Sequence, residues 1–535
     1  MMTPTPPVTL DGLLEEKAAK LGETPFFQYQ DDEYSYAELD ARANAIANEL
    51  HAKGIEEGDA VCILSYNRPE YLYTIFALAK IGAIAAPIDT RFTEETLTHV
   101  LSNTDAQVLI LDADAKTNYE TVRDEVSNIT TEFLVGPPES RHPYHDFDQL
   151  LEGNESTPPD KETSGTETCS VYYIQRYPQR NYPQAVKLPH YSYINTGWEA
   201  SRNILSLSQN DCIFTTLPFY SSYPIQMGVT GALIAEAEFA FEKQFDGDRF
   251  WEWIRTHDAT VFLYLGRMLS VLRNQETTPS EDENPTEYAI GHGFGVEMDA
   301  TIIDTFEERF DVTVLEAYGT TATATLATSN RVNDRKLGSI GKPISSAEVR
   351  IVDENDWVIP TGDTGEIVVR PTLPNTMMQE FYDDSELTTE VCRNQWIHTN
   401  DIGYKDDDGY LYFVANKSNT IHLSRVAGRI SSLEIESVID SHPDASESVV
   451  FGVTDDAGEQ SIKAVVVPKE GTSLSPIDVS EHCEHQLTYR KLPRYIQIRT
   501  ELPRSPSGKV EFDELRDTNI GDGVWDRERG YELGR

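Results

Sequence analysis

The chain is short of positive charge. Its 535 residues carry 44 Lys and Arg against 90 Asp and Glu, a net charge of −46. A surface this acidic repels nucleic acid and anionic membranes, which removes both from the expected partners. It also repels itself, and becomes tolerable where salt is molar and the Debye length falls to ~3 Å. The composition therefore points to a halophilic setting. Cysteine is scarce too: Cys62, Cys169, Cys212, Cys392 and Cys483 are odd in number, scattered, and form no CxxC pair. That argues against a disulfide framework or a cysteine zinc site and fits a reducing cytoplasm. No stretch approaches the ~18 apolar residues of a membrane span. The opening MMTPTPPVTL has no basic region and no long apolar run, so no signal peptide is expected.

What is present is enough for a folded protein. Acidic chains that stay disordered have few aromatics, whereas this one has 26 Tyr and 20 Phe. Its length exceeds a single core and predicts several domains. YAELDARANAIANEL (36–50) has apolar residues at helical spacing. Apolar runs follow at 61–64 and 108–111, with a short strand between them ending at Pro87-Ile88 and helical stretches at about 70–81 and from 93. Strands alternating with helices predict a parallel α/β layer. Residues 137–167, rich in Pro, Gly, Ser and acid, read as a surface excursion, and the tail after Asp517 as loose. In WIHTNDIGYKDDDGYLYFVANKSN (396–419) a turn at Gly409 leads into the alternating strand 410–414. The apolar pattern then stops at Ala415-Asn416-Lys417-Ser418-Asn419, a run suited to a domain joint. The expected fold is α/β: a large N-terminal domain (1–415) of layered α/β subdomains plus a β-rich subdomain. A hinge (416–419) then joins a small mobile α+β C-terminal domain (420–535).

Several landmarks occur in order: YAEL (36–39), GAIAAPIDTR (82–91), EAYGTT (316–321), GEIVVR (365–370), HTNDIGYKDDDGYLYF (398–413) and PRSPSGK (503–509). Together they resemble the adenylate-forming superfamily, and PIDTRFTEETLTHVL (87–101) looks most like its acyl-CoA synthetases. The resemblance runs from about Leu10 to Leu515. It implies a two-step ligase: a carboxylate attacks the α-phosphate of ATP, and CoA then displaces AMP after the small domain has turned about the joint. A small carboxylic acid, ATP, Mg²⁺ and CoA are the implied substrates and cofactors; a homo-oligomer is left open.

The same resemblance assigns residues. Lys509 would bridge the carboxylate and the α-phosphate; the alternative is an ordinary exposed lysine. Asp401 would bind the ribose hydroxyls, or else be one more solvated acid; the residue before it, glycine in the family, is Asn400. Tyr318, Gly319, Thr320 and Thr321 would form the base and phosphate seat, and Gly295 with Val296 the backbone lining the adenine. The metal-binding glutamate of the family is replaced by Ala322, which cannot hold a hard cation. Tyr220 lines the acyl tunnel or simply packs. The joint lacks the family's arginine at Asn416 and its acid at Asn419.

The phosphate loop departs furthest. Anchored on Pro183, Val186, Leu188 and His190, it is YIQRYPQRNYPQA (173–185), with no Gly, Ser or Thr. A phosphate cradle needs small residues and hydroxyls, and this stretch offers only Arg176 and Arg180. Two outcomes are open. One is an acid–thiol ligase, against which each lost electrostatic group counts ~3 kcal/mol. The other is an impaired relative that binds nucleotide, acyl-CoA or a partner as a scaffold. A third reading, thioesterification of a supplied adenylate, is weakened by Leu423–Val426 standing where the CoA-side turn should be.

Overall fold

The computed structural model describes residues 8–137, 140, 142–153, 157–177, 180, 182–276, 281, 284–293, 300–417, 420–422, 429–454, 460–469, 471–503, 515 and 523–532. The chain forms two compact units. The first comprises 1–293, 300–350 and 368–399; the second comprises 294–299, 351–367 and 400–535.

Two sheets build the first unit. One has seven strands in the order His145–Asp146, Thr131–Val135, Val108–Asp112, Ala60–Leu64, Ile84–Pro87, Thr168–Ile174, Gln184–Pro189. Its inner pairs are parallel, as the helix–strand alternation predicts. The Val108–Asp112 strand is buried at every position, the pattern of a strand covered on both faces. The last pair is an antiparallel hairpin. The other sheet has nine strands, with a parallel core of Thr313–Tyr318, Tyr288–His292, Val261–Leu265, Cys212–Thr215, Glu238–Phe241 and Pro25–Tyr29. In such sheets ligands sit outside the carboxyl ends of the strands. Thr320, Thr321 and Tyr220 all follow strand ends there.

Local chemistry explains the element starts. Helix Tyr36–Ala52 begins at Ser35, whose hydroxyl accepts from the Glu38 N–H while the Glu38 carboxylate accepts from the Ser35 N–H. Helix Pro69–Ile81 opens on proline and closes on Gly82 at φ 65°. Between them Lys80 is buried with its ammonium 2.7 Å from Glu15 and 2.8 Å from Asp40.

A four-stranded sheet runs Ala347–Val352, Gly365–Pro371, Ile397–Lys405, Leu411–Asn416. The turn before its last strand is at Gly409, φ 89°. That strand continues to Asn416, past the point where the apolar pattern stops. Within the second unit, helices Ser432–Asp440 and Pro476–Gln486 cover a five-stranded sheet through Ile435, Ile439, Val479 and Cys483.

The structure corrects two expectations. The tail is not loose at 524–532: Val524–Asp526 and Tyr531–Glu532 are the last strands of the five-stranded sheet. The acidic excursion is anchored, with Phe147 and Leu150 buried beside the seven-stranded sheet. No helix among the described residues is long and apolar enough to cross a membrane.

Candidate active site

The first unit carries the turn after strand Thr313–Tyr318. The chain folds back sharply there: Thr325 N–H donates to Thr320 O (2.8 Å), and Ala327 N–H donates to Tyr318 O (2.7 Å). Thr323 closes a short 3-10 turn over 321–323, its hydroxyl accepting from Thr320 N–H at 2.9 Å. Ala324 and Thr325 lie at φ 50° and 75°, a conformation that a β-branched residue rarely adopts. They are held by Thr196 Oγ1 donating to Ala324 O (3.0 Å) and by the buried Ser222–Thr325 hydroxyl pair (2.8 Å). Gly319 is required by this packing, since a Cβ there would lie 2.1 Å from Thr325 O.

Thr320 and Thr321 are half-buried at the strand end, while the Tyr318 ring is fully buried. The carbonyl of Ala322 accepts from Met378 N–H at 3.0 Å, and its methyl is buried. The turn thus offers no carboxylate to Mg²⁺, and no cluster of three or more His, Cys, Asp or Glu able to hold a metal exists among the described residues. Sequence reasoning missed Glu316. Burial holds its carboxyl well above the usual carboxylate range, opposed by the Gly338 N–H and the Arg335 charge. Its position two residues before Tyr318 on one strand face was the available signal.

The stretch that replaces the phosphate loop is a brace. Arg176 donates from Nε (2.9 Å) and Nη2 (2.7 Å) to the Thr399 carbonyl. Arg180 pairs with Asp384 at 3.3 Å and Glu386 at 3.7 Å. Tyr177 is buried edge-on against Phe381, and Tyr182 stacks on His99 at 4.3 Å. Residues 178, 179 and 181 lie outside the described set. Both cations of the loop are therefore committed to protein oxygens. Arg176→Met is expected to lower Tm by a few degrees, the loss of a charged hydrogen bond worth ~1.5–3 kcal/mol. It should leave ATP affinity within about threefold; titration calorimetry checks the second half.

Tyr220 is half-buried, with the Arg91 guanidinium 5.7 Å from its ring centre. Burial first, then the Asp89 carboxylate, raises its phenol. It packs in this polar corner.

In the second unit Asp401 is buried and stands opposite Asn416 across the Ile397–Lys405/Leu411–Asn416 pair. Asn416 Nδ2 donates to Asp401 Oδ1 at 3.0 Å. Asn400 adopts φ 57°, a conformation open to glycine and, among other residues, most readily to Asn and Asp. That accounts for Asn in a position where the family has glycine. Lys509, Gly295, Val296 and Asn419 lie outside the described residues.

Comparison with known proteins is decisive for the family. A family model described as AMP-binding enzyme matches residues 14–173 and 182–382, and its C-terminal domain model matches 434–509. The chain belongs to the AMP-binding enzyme family. The break in the first match, between 173 and 182, coincides with the braced loop. The crotonobetaine/carnitine–CoA ligase of Salmonella typhi is 31% identical over 490 residues, covering 90% of this chain and 93% of the relative. That of Citrobacter koseri is 31% identical over 493 residues, with the same coverage. An anthranilate–CoA ligase solved with anthranoyl-AMP has the same fold, with a TM-score of 0.82 at 20% identity over 96% of this chain and 98% of its own. The O-succinylbenzoate coenzyme A synthetase of Bacillus subtilis, solved with AMP, gives 0.78 at 22% identity over 95% and 97%. This AMP-binding enzyme is thus a member of the adenylate-forming acyl-CoA ligases, which use ATP and CoA.

Proposed function

We propose that the chain is an AMP-forming acid–thiol ligase that joins a short polar carboxylic acid to CoA through an acyl-adenylate, with a weakened adenylation step. The observation that carries this is the near full-length likeness to crotonobetaine/carnitine–CoA ligases. In this reading Lys509, the last residue matched by the C-terminal model, takes the bridging role. Tyr318 to Thr321 and Gly295 seat the nucleotide, Asp401 takes the ribose, and Tyr220 borders the acid. The small domain turns about 416–419. Any Mg²⁺ is carried mainly by phosphate and water, because the turn has alanine at 322. Such an enzyme works in a reducing, salt-rich cytoplasm.

The weakening follows from the brace: Arg176 and Arg180 are engaged by protein oxygens, and the loop supplies no Ser or Thr hydroxyl. The test measures acyl-CoA and AMP formation, with pyrophosphate exchange, in molar KCl. The acids are carnitine, crotonobetaine, and short aliphatic and aromatic acids. Acyl-CoA formation on a trimethylammonium acid, with exchange as the slow step, is expected. A second reading, a nucleotide or acyl-CoA binding scaffold, is favoured by the same committed arginines. Binding of AMP or CoA with no turnover of any acid would establish it and overturn the ligase.

A further inference from the structure

Asn67 lies between strand Ala60–Leu64 of the seven-stranded sheet and helix Pro69–Ile81, and is 1% exposed. Its amide is turned toward the other sheet. Nδ2 donates to Leu217 O at 2.9 Å and to Glu242 O at 3.1 Å, while Oδ1 accepts from Phe219 N–H at 2.9 Å. Leu217 and Phe219 follow strand Cys212–Thr215, and Glu242 follows its neighbour Glu238–Phe241. One side chain thus ties the carboxyl ends of two strands in the nine-stranded sheet to the seven-stranded one. Both amide protons and the amide oxygen are used. With oxygen and nitrogen exchanged, the oxygen would face two carbonyls, so the partners fix the orientation. The rest of the loop is held as well. Leu217 N–H donates to Thr215 Oγ1 and Ser221 N–H to Pro218 O, each at 3.0 Å. The buried Phe219 ring stands 4.9 Å from that of Phe241 and 5.4 Å from that of Tyr71. This run ends on Tyr220, whose ring faces Arg91 and whose phenol bonds to Asp89.

We infer that Asn67 is a positioning residue: by clamping 217–219 it sets where Tyr220 stands against the bound acid. This rests on the reading above, in which Tyr220 borders the acid. Asn67 is enclosed by protein, so it acts through the loop. Aspartate in its place has no proton for the two carbonyls, and serine has one proton where two are needed. Removing the amide leaves two buried carbonyls and one N–H to find other partners, which they do only if the loop moves. A displacement of ~1 Å caused from a distance can cost ~100-fold where orientation matters. A loop still held by Thr215 and the Phe219 ring should move less than that.

The test is steady-state acyl-CoA formation by the full chain in molar KCl, with acid and ATP varied in turn and Tm recorded for each variant. Asn67→Ala is expected to raise the acid KM about 10-fold and to leave the KM for ATP within about twofold. In a Tyr220→Ala background the same change should add less than about twofold, because the clamp then has no ring to place. Lys80→Met is the stability control. It breaks the buried Glu15 and Asp40 pairs at the far end of the helix that Asn67 precedes, so it should lower Tm and keep the acid KM within about twofold. Equal rises in acid KM for Asn67→Ala and Lys80→Met, or full additivity with Tyr220→Ala, overturn the positioning role and leave Asn67 a core residue only. If Asn67→Ala does not fold, Asn67→Asp reads the same KM split, since it keeps the size and the acceptor for Phe219 N–H. A wild-type chain that turns over no acid overturns the role together with the ligase reading, a failure distinct from wild-type turnover with additive variants.

Discussion

Gly319→Ala is expected to abolish measurable AMP binding and to cost ~3 kcal/mol of stability, the upper end of ordinary overpacking. The new methyl would meet Thr325 O at 2.1 Å, Thr325 C at 2.4 Å and Leu326 N at 2.6 Å, all backbone atoms. No rotamer change relieves such contacts. The turn cannot retreat easily either, because Ala324 and Thr325 already sit at positive φ, held by four hydrogen bonds. Strain of this kind persists only where the surroundings over-determine it. Gly362→Ala is the control. Its φ is 88°, but nothing lies within 4 Å of the added carbon, so only the backbone cost of about 1 kcal/mol should appear. Scanning calorimetry and AMP titration of both variants check the contrast; a Gly319→Ala chain as stable as Gly362→Ala would refute the packing account.

Glu436→Gln is expected to stabilise the protein at pH 8 by roughly 2–3 kcal/mol and to change little near pH 4.5. Burial raises the Glu436 carboxyl to about 7, helped by the nearby Asp440 and opposed by the Val450 N–H that it accepts at 2.7 Å. A folded-state value above the unfolded one means that the neutral acid is favoured in the native state. Its contribution is full below about pH 4.5 and is lost as pH rises through about 7. Glutamine keeps the acceptor for Val450 without the charge. The measurement is the difference in unfolding free energy between the two proteins from pH 4.5 to 8. A difference that stays flat over this window would show that folding does not raise the carboxyl.

The fold was legible where apolar pattern and punctuation agree. The runs at 61–64 and 108–111 are the inner strands, and the helix at 36–50 needed only the Ser35–Glu38 box to set its start. Helix His190–Trp198 and its π-helical continuation through Ile204 escaped notice. Buried Ser192, Thr196, Glu199 and Ser201 interrupt any apolar stripe there. Val524–Asp526 is too short for period-two alternation to register.

Within the site, the motif resemblance marked Asp401, but its bond to Asn416 depends on cross-strand register, which spacing alone does not set. Likewise Arg176 reads as a spare cation in sequence. Only the fold brings it to a carbonyl 223 positions away.

That tether makes the altered loop a ratchet. Re-grafting a supple, glycine-bearing cradle at 175–183 would cut the links to Thr399, Asp384, Phe381 and His99 in one stroke. Each step toward a phosphate-gripping loop would loosen the hairpin before it added any grip, so such an exchange lowers stability first.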